Sequence, residues 1–132
     1  MATWADVQRI ATGLPGVEES PSYDGWRSWK VGKKNVVWER PLRGRDLTDF
    51  ESMGRVAPTG VTIGVRVPDL DIKQARIAEN PDVVFTVPHL DGYAAVLVVL
   101  DEIDVDDLDE LVTEAWRHQA PKRAVKAWDD AR

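Results

Sequence analysis

Three side chains that can do acid–base or hydrogen-bond chemistry lie close together in the sequence: His89, Asp91 and Tyr93. Imidazole titrates near neutral pH, and a carboxylate and a phenol beside it add hydrogen-bonding groups. One interpretation is a small-molecule binding site at a strand end, with His89 as its acid–base or hydrogen-bonding group. The other is structural, because Asp91-Gly92 is typical of a tight turn in which His89 caps a backbone group and Tyr93 packs.

A second candidate is a basic segment that has one acidic residue, Glu39, between positions 27 and 45. Lys and Arg side chains bind phosphates, and nearby tryptophans can stack on bases. Lysines along an exposed strand also protect a sheet edge from pairing, which is the structural alternative. The hypothesis of a nucleic-acid-binding hairpin uses Arg27, Lys30, Lys33, Lys34 and Arg40, with Trp26 and Trp38 nearby.

The acidic run at residues 101–110 has a structural explanation. It lacks the central glycine and the twelve-residue loop of a calcium-binding EF-hand. Carboxylates are stabilised at the start of a helix by its dipole, and cations at the end. Arg117, Lys122 and Arg123 follow at the far end. We therefore expect a capped helix here and no calcium site.

Motifs of catalysis and cofactor binding are absent from the sequence. It contains no Gly-x-Ser-x-Gly, phosphate-binding loop, dinucleotide-binding glycine pattern or His-Glu-x-x-His. Cysteine is absent as well, and the two histidines, His89 and His118, are far apart. We expect no catalytic residues, no metal site and no cofactor, and hence a protein that is not an enzyme.

Length and charge narrow the class of protein further. The chain has 132 residues and a net charge of −6, which fits one domain that repels nucleic acid on average. The N-terminus has no signal-peptide pattern, and the longest apolar run, residues 94–100, is too short to cross a bilayer. We expect a cytoplasmic location and no membrane partner.

The first half of the chain predicts a helix and three strands. Thr3 and Asp6 cap a helix over residues 4–13. A period of two predicts strands from Tyr23 to Val31 and from Asn35 to Arg40, joined by a turn at Gly32. Lys30, Lys33, Lys34 and Arg40 should then lie within about 10–15 Å of one another. Residues 41–60 are predicted to be the least ordered loop, and residues 61–67 a third strand.

The second half predicts two further strands and two helices. A helix starts at Asp69 and ends at Asn80, and strands follow at residues 83–87 and 94–100, the latter covered on both faces. The helix after Asp104 carries an apolar stripe that includes Trp116, which we expect to anchor the core. A short amphipathic tail follows Pro121. The fold class is therefore two-layer α+β, a mainly antiparallel five-stranded sheet with helices on one face.

Several segments together resemble the MmcQ/YjbR family of small bacterial proteins, over nearly the whole chain. They are Thr3-Trp4-x-x-Val7, residues 14–19, 29–32, 88–93 running into 96–98, 115–117 and 120–123. The resemblance implies the family's α-β(3)-α-β(2)-α fold, which is similar to type III secretion chaperones. It also implies a DNA-binding function, since the family often carries that label, and it implies no catalytic residues.

Three hypotheses of function follow. The first is weak, sequence-independent DNA binding through the basic hairpin. The second is a protein- or peptide-binding adaptor, suggested by the resemblance to secretion chaperones and by six tryptophans, and it requires an exposed apolar groove. The third is a small-molecule binder at His89, Asp91 and Tyr93, which requires a deep pocket.

Overall fold

The structure, a computed structural model, describes residues 1–21 and 25–132. Within these ranges the chain forms five α-helices and six strands. The helices are α1 (Trp4–Thr12), α2 (Gly44–Ser52), α3 (Leu70–Glu79), α4 (Val105–Gln119) and α5 (Lys122–Asp130). The strands are β1 (Val17–Pro21), β2 (Arg27–Val31), β3 (Lys34–Glu39), β4 (Thr62–Arg66), β5 (Val84–Phe85) and β6 (Ala95–Val99). Short 3-10 helices at Pro88–Leu90 and Leu100–Glu102 flank β6.

The strands form one antiparallel sheet in the order β1-β2-β3-β4-β6-β5. The α+β class is as predicted, but the sheet has six strands where the sequence predicted five. The additional strand is β1, which pairs with β2 from Val17↔Val31 to Pro21↔Arg27. Its sequence, Val-Glu-Glu-Ser-Pro, has little β propensity. Charges and proline are tolerated there because β1 is an edge strand.

The predicted hairpin is formed by β2 and β3. Gly32 at the turn has a φ of 63°, and a positive φ at the first central position is typical of a type II′ turn, which favours glycine. The register shifts between Trp29 and Lys30, which marks a bulge. The predicted start of the first hairpin strand, Tyr23, lies outside the described residues.

The segment at residues 41–60 was predicted to be a loop, and that prediction is wrong, because it contains α2. Phe50 on this helix is buried, and its ring meets that of Phe85 at a centroid distance of 5.9 Å. The Asp46 carboxylate accepts a hydrogen bond from the backbone N–H of Arg43 at the start of the helix. A nine-residue helix with one large buried apolar residue has too little periodicity to be recognised from sequence.

The sheet has two different faces, which the strand register defines. Trp29, Val37, Val65 and Val98 lie on the helix face, where α1, α3, α4 and α5 pack. Trp116 of α4 is fully buried there, as predicted, and its indole Nε1 donates to the Pro15 carbonyl at 2.9 Å.

The opposite side, called the second face, carries Ser28, Trp38, Gly64 and Leu97. Over its β5–β6 end lies a smaller cluster of Phe50, Phe85, Val87, Leu97 and Val99. The prediction of helices on one face therefore holds for four helices but not for α2. All five residues of β6 are buried, as predicted for a strand covered on both faces. No helix in the described ranges is long and apolar enough to cross a membrane.

Candidate nucleic-acid interface

The second face carries a row of side chains along β2 and β3. Ser28 lies opposite Trp38, and Lys30 is two residues further along β2. Trp26 precedes β2, and the side chain of Arg27 points to the helix face, where its guanidinium lies 4.9 Å from the centroid of the Trp29 ring. Because successive side chains alternate, Trp26 belongs to the second face with Ser28 and Lys30.

The six tryptophans divide between the two faces. Four belong to the helix-face core or pack against it: Trp4, Trp29, Trp116 and Trp128. They form two ring pairs, Trp4 with Trp29 and Trp116 with Trp128. Trp26 and Trp38 are half-buried and belong to neither buried cluster of the described residues.

Each second-face tryptophan has one well-defined contact. The guanidinium of Arg43, the residue before α2, lies 4.3 Å from the centroid of the Trp26 ring. Trp38 lies against Gly64 of β4, where a Cβ atom would come within 2.5 Å of the indole Cε2. Glycine at position 64 therefore allows the Trp38 ring to lie directly on the neighbouring strand.

The lysines of the predicted basic hairpin are accessible. Lys33 and Lys34 at the turn are exposed, and Lys30 is half-buried. None of the ion pairs formed within residues 1–21 and 25–132 involves these three lysines. The strand β1 that the sequence did not reveal places Glu18 opposite Lys30, so the hairpin is less basic than predicted.

Arg27 does not join the lysines. Its Nε donates to Glu19 Oε2 at 2.8 Å and its Nη2 to Glu19 Oε1 at 3.2 Å. The hydrogen bonds from Arg27, with its charge, lower the pKa of Glu19 even though burial opposes the shift. Arg27 thus packs on Trp4 and Trp29 at the helix face, neutralised by a carboxylate on β1.

Arg40 also lies apart from the lysines. It follows the end of β3, six residues beyond Lys34, which corresponds to roughly 20 Å of extended strand. The prediction that Lys30, Lys33, Lys34 and Arg40 lie within about 10–15 Å of one another is therefore wrong. The sequence correctly predicted Arg40 at the far end of the second hairpin strand, but the length of that strand was underestimated.

Arg40 instead meets a residue of the second predicted site through a buried carboxylate. Its Nη1 donates to Asp46 Oδ2 at 3.1 Å, and its Nη2 lies 3.1 Å from His89 Nε2. The Nδ1 of His89 is 3.3 Å from Asp46 Oδ1, within ion-pair distance but outside hydrogen-bond geometry. Since guanidinium only donates, His89 Nε2 is an acceptor and the neutral imidazole carries its proton on Nδ1.

Asp46 is held in its charged form. Burial would raise the pKa of this carboxyl, but the hydrogen bond from the backbone N–H of Arg43 and the hydrogen bond and charge of Arg40 together lower it. The side chain of Asp46 is 1% exposed and those of Arg40 and His89 are 14% and 33% exposed. The three residues form a latch between α2, the residue after β3 and the connection before β6, because Arg40 contacts both Asp46 and His89 and these two contact each other.

The other two members of the predicted small-molecule site point elsewhere. The Tyr93 hydroxyl accepts a hydrogen bond from Arg66 Nη1 at 3.1 Å, and Asp91 is exposed. A groove of about 1210 Å³ between α3 and α4 is lined by acidic, basic and apolar side chains, and His89, Asp91 and Tyr93 are not among its lining residues. The three side chains thus do not line this groove.

Lys73 is a buried cation that sequence reasoning missed. It is fully buried on α3, and its Nζ donates to the carbonyls of Leu90 and Tyr93 at 2.5 and 2.8 Å. Burial lowers the pKa of this amine, while the charge of Asp91 acts in the opposite direction. Lys73 therefore fixes the connection that carries His89. A lysine in a helix is usually exposed, so no sequence signal marks it.

Metal ligands are not clustered in the described part of the chain. No group of three or more histidine, aspartate or glutamate side chains there is arranged to hold a metal ion.

Comparison with known proteins identifies the family. The YjbR family model matches residues 12–118. The chain belongs to the YjbR family. Uncharacterized protein Rv2570 of Mycobacterium tuberculosis and Uncharacterized protein Mb2600 of Mycobacterium bovis are each 52% identical to this YjbR protein over 128 residues, 97% of this chain and 96% of the relative.

The fold of this YjbR protein is also found in a solved structure. Protein DR2400 of Deinococcus radiodurans, a DUF419-domain protein, superposes with a TM-score of 0.62 at 20% identity, covering 88% of this chain and 77% of that one. At this identity the likeness shows the fold alone. The predicted family resemblance is thus confirmed, and the α+β fold it implied is confirmed, with the strand β1 and the helices α2 and α5 in addition to the implied elements.

Proposed function

We propose that this YjbR-family protein binds nucleic acid weakly and without sequence preference, with the phosphate backbone at the tip of the β2–β3 hairpin. The strongest support for the proposal is the difference between the lysines and the arginines of the hairpin. Lys33 and Lys34 are exposed, and with Lys30 they form no ion pair among the described residues, whereas Arg27 and Arg40 are held by Glu19 and Asp46. Charges that are not neutralised within the protein remain available to phosphates.

The contact is expected to be with the backbone rather than with base edges. Sequence is read in the grooves by Arg, Asn or Gln side chains on a helix or ribbon that enters them, and the hairpin tip offers lysines, which act as point charges. Non-specific affinities of this kind are about 10⁻⁴–10⁻⁶ M at physiological salt. The net charge of −6 should keep the affinity at the weak end and make it steeply salt-dependent.

The experiment is a fluorescence anisotropy titration of labelled DNA at two salt concentrations. The double charge reversal Lys33→Glu/Lys34→Glu should abolish most binding and flatten the salt dependence. The matched control is Lys122→Glu/Arg123→Glu, which changes the charge equally on the exposed start of α5 and should reduce binding much less.

Two outcomes would contradict the proposal. One is no anisotropy change at low salt with protein at tens of micromolar, a concentration that the expected affinity range makes sufficient. The other is equal binding by the two double variants, which would mean that any association reflects overall charge. Either outcome would favour the adaptor hypothesis, in which the partner is a protein or peptide.

A further inference from the structure

We infer that Trp26 and Trp38 form a stacking surface for unpaired bases, so that the protein prefers single-stranded nucleic acid to duplex. This inference rests on the proposed phosphate contacts of Lys30, Lys33 and Lys34. It assigns a second part of the same interface, on the second face of the sheet, and it names the class of nucleic acid.

The tryptophans of this fold differ in how they are packed. A tryptophan contributes most to stability when its ring is packed in a core, and four of the six in this chain pack that way. Trp26 and Trp38 are half-buried outside both buried clusters. Their large apolar rings are partly open to solvent on a face that also carries Lys30.

The positions of Trp26 and Trp38 along the hairpin support a shared stacking surface. Trp38 lies opposite Ser28, and Trp26 lies two residues before Ser28, just ahead of β2. Both side chains belong to the second face near the start of β2, so one strand of nucleic acid can contact both rings. Moving along β2 away from the hairpin tip, the lysines come first and the tryptophan rings follow.

The residues around the two rings also favour stacking. Gly64 lets the Trp38 indole approach β4 closely, because a Cβ atom at position 64 would come within 2.7 Å of three indole atoms. The guanidinium of Arg43 covers one side of Trp26, and a base can stack on the opposite side of the ring or on the guanidinium plane, which is itself a stacking surface. Both arrangements hold the rings in place before a ligand binds.

The preference for single strands follows from base accessibility. In a duplex the bases stack on one another, so a flat sheet surface reaches mainly phosphates. In a single strand the base faces are available, and stacking on aromatic side chains tolerates any sequence. The charge of the lysine tip complements the polyanion in both cases, so the aromatic contacts are what distinguish the two.

The test compares three labelled ligands of about 15 nucleotides with the unmodified protein: oligo-dT, an abasic strand of the same length, and a duplex. Two stacked bases should make oligo-dT bind at least roughly thirtyfold more tightly than the abasic strand. The double variant Trp26→Leu/Trp38→Leu should lower oligo-dT binding to the level of the abasic strand and leave duplex binding within about twofold. The matched control Trp26→Phe/Trp38→Phe keeps two rings and should retain most of the preference.

The possible results separate this inference from the proposed function. Equal binding of oligo-dT and the abasic strand would overturn the stacking inference and leave the phosphate contacts standing. Failure of all three ligands to bind would overturn both. If the leucine variant does not fold, as judged by circular dichroism, the comparison of ligands on the unmodified protein still decides.

Discussion

The helix face and the second face of the sheet use the same residue type in different ways. On the helix face, Trp116 is fully buried and meets Trp128 at a ring distance of 5.5 Å. On the second face, Trp38 rests on a glycine and Trp26 on an arginine, and both remain half-buried. The number of tryptophans in a chain therefore does not measure the size of its core.

The cations show a parallel division. Arg27 and Arg40, near the ends of their strands, are held by Glu19 and Asp46. The lysines at the hairpin tip have no such partner in the described ranges. A paired arginine stabilises the fold locally, while an unpaired lysine leaves its charge to a ligand. Substitutions on each face test this difference.

The largest expected effect is on the helix face. Trp116→Ala should reduce the free energy of unfolding by about 3–5 kcal/mol, as for other large deletions from a core. Trp38→Ala should reduce it by only about 1–2 kcal/mol, because Trp38 is partly exposed and lies outside both buried clusters. Urea denaturation of both variants checks this. Equal losses would show that Trp38 is a core residue and would weaken its assignment to a binding surface.

The next effect concerns the Arg40–Asp46–His89 latch. Asp46→Asn should reduce the free energy of unfolding at pH 7 by about 1–3 kcal/mol, because a charge-assisted contact of a buried group is lost. The pKa of Asp46 in the folded protein lies below its ordinary value of 3.8. The stability contributed by its charge is therefore fully present above pH 3.8 and is lost as the pH falls through the folded pKa.

The gap in stability between the parent and Asp46→Asn should consequently narrow on acidification below about pH 4. Denaturant titrations at a series of pH values measure this gap. A gap that stays constant down to the lowest pH at which the parent folds would show that the charge of Asp46 contributes nothing. Glu51→Gln provides the control, because Glu51 is an exposed carboxylate on the same helix.

A smaller effect tests the packing of Trp38 on Gly64. Gly64→Ala should cost about 1–3 kcal/mol, because its Cβ would overlap the indole. In a Trp38→Ala background the same substitution should cost less than about 0.5 kcal/mol, since the overlapping ring is gone. The coupling energy from this double-mutant cycle is the quantity of interest. A coupling near zero would mean that the ring does not rest on β4.

The smallest expected effect tests the role of β1. Glu18 lies opposite Lys30, so Glu18→Gln should remove a repulsive charge beside the proposed phosphate site. At low salt the affinity for oligo-dT should rise roughly twofold to threefold, in line with the weak energies of exposed charge pairs. The same change at Glu110, on the exposed part of α4, is the comparison. A larger gain from Glu110→Gln would argue against the site.

Much of the fold could be predicted from local patterns. Alternation over residues 61–67 and the stripe around Trp116 are signals within one element, and both led to the correct strand and helix. The strand β1 and the helix α2 could not be predicted in this way. The charged residues of β1 are tolerated because it lies at an edge, and α2 is held by contacts with distant residues, those of Phe50 with β5 and β6 and those of Asp46 with Arg40 and His89.

The candidate site was harder to predict because its contacts are between distant residues. Arg40 and His89 are 49 positions apart, and the residue that links them, Asp46, lay in the presumed loop. The exposure of Lys33 and Lys34 was predictable from the turn at Gly32. That Arg27 lies on the other face followed from the alternation along β2, but its partner Glu19 required knowledge of β1.

The most direct test of the account is an NMR titration of ¹⁵N-labelled protein with unlabelled oligo-dT, following the indole N–H signals of the six tryptophans. The signals of Trp26 and Trp38 should shift or broaden as oligo-dT is added. The signals of Trp29 and Trp116, which are buried in the core, should stay in place. Unchanged signals of Trp26 and Trp38 while binding is evident, or shifts concentrated on Trp4 or Trp128, would contradict the assignment of the stacking surface to the second face.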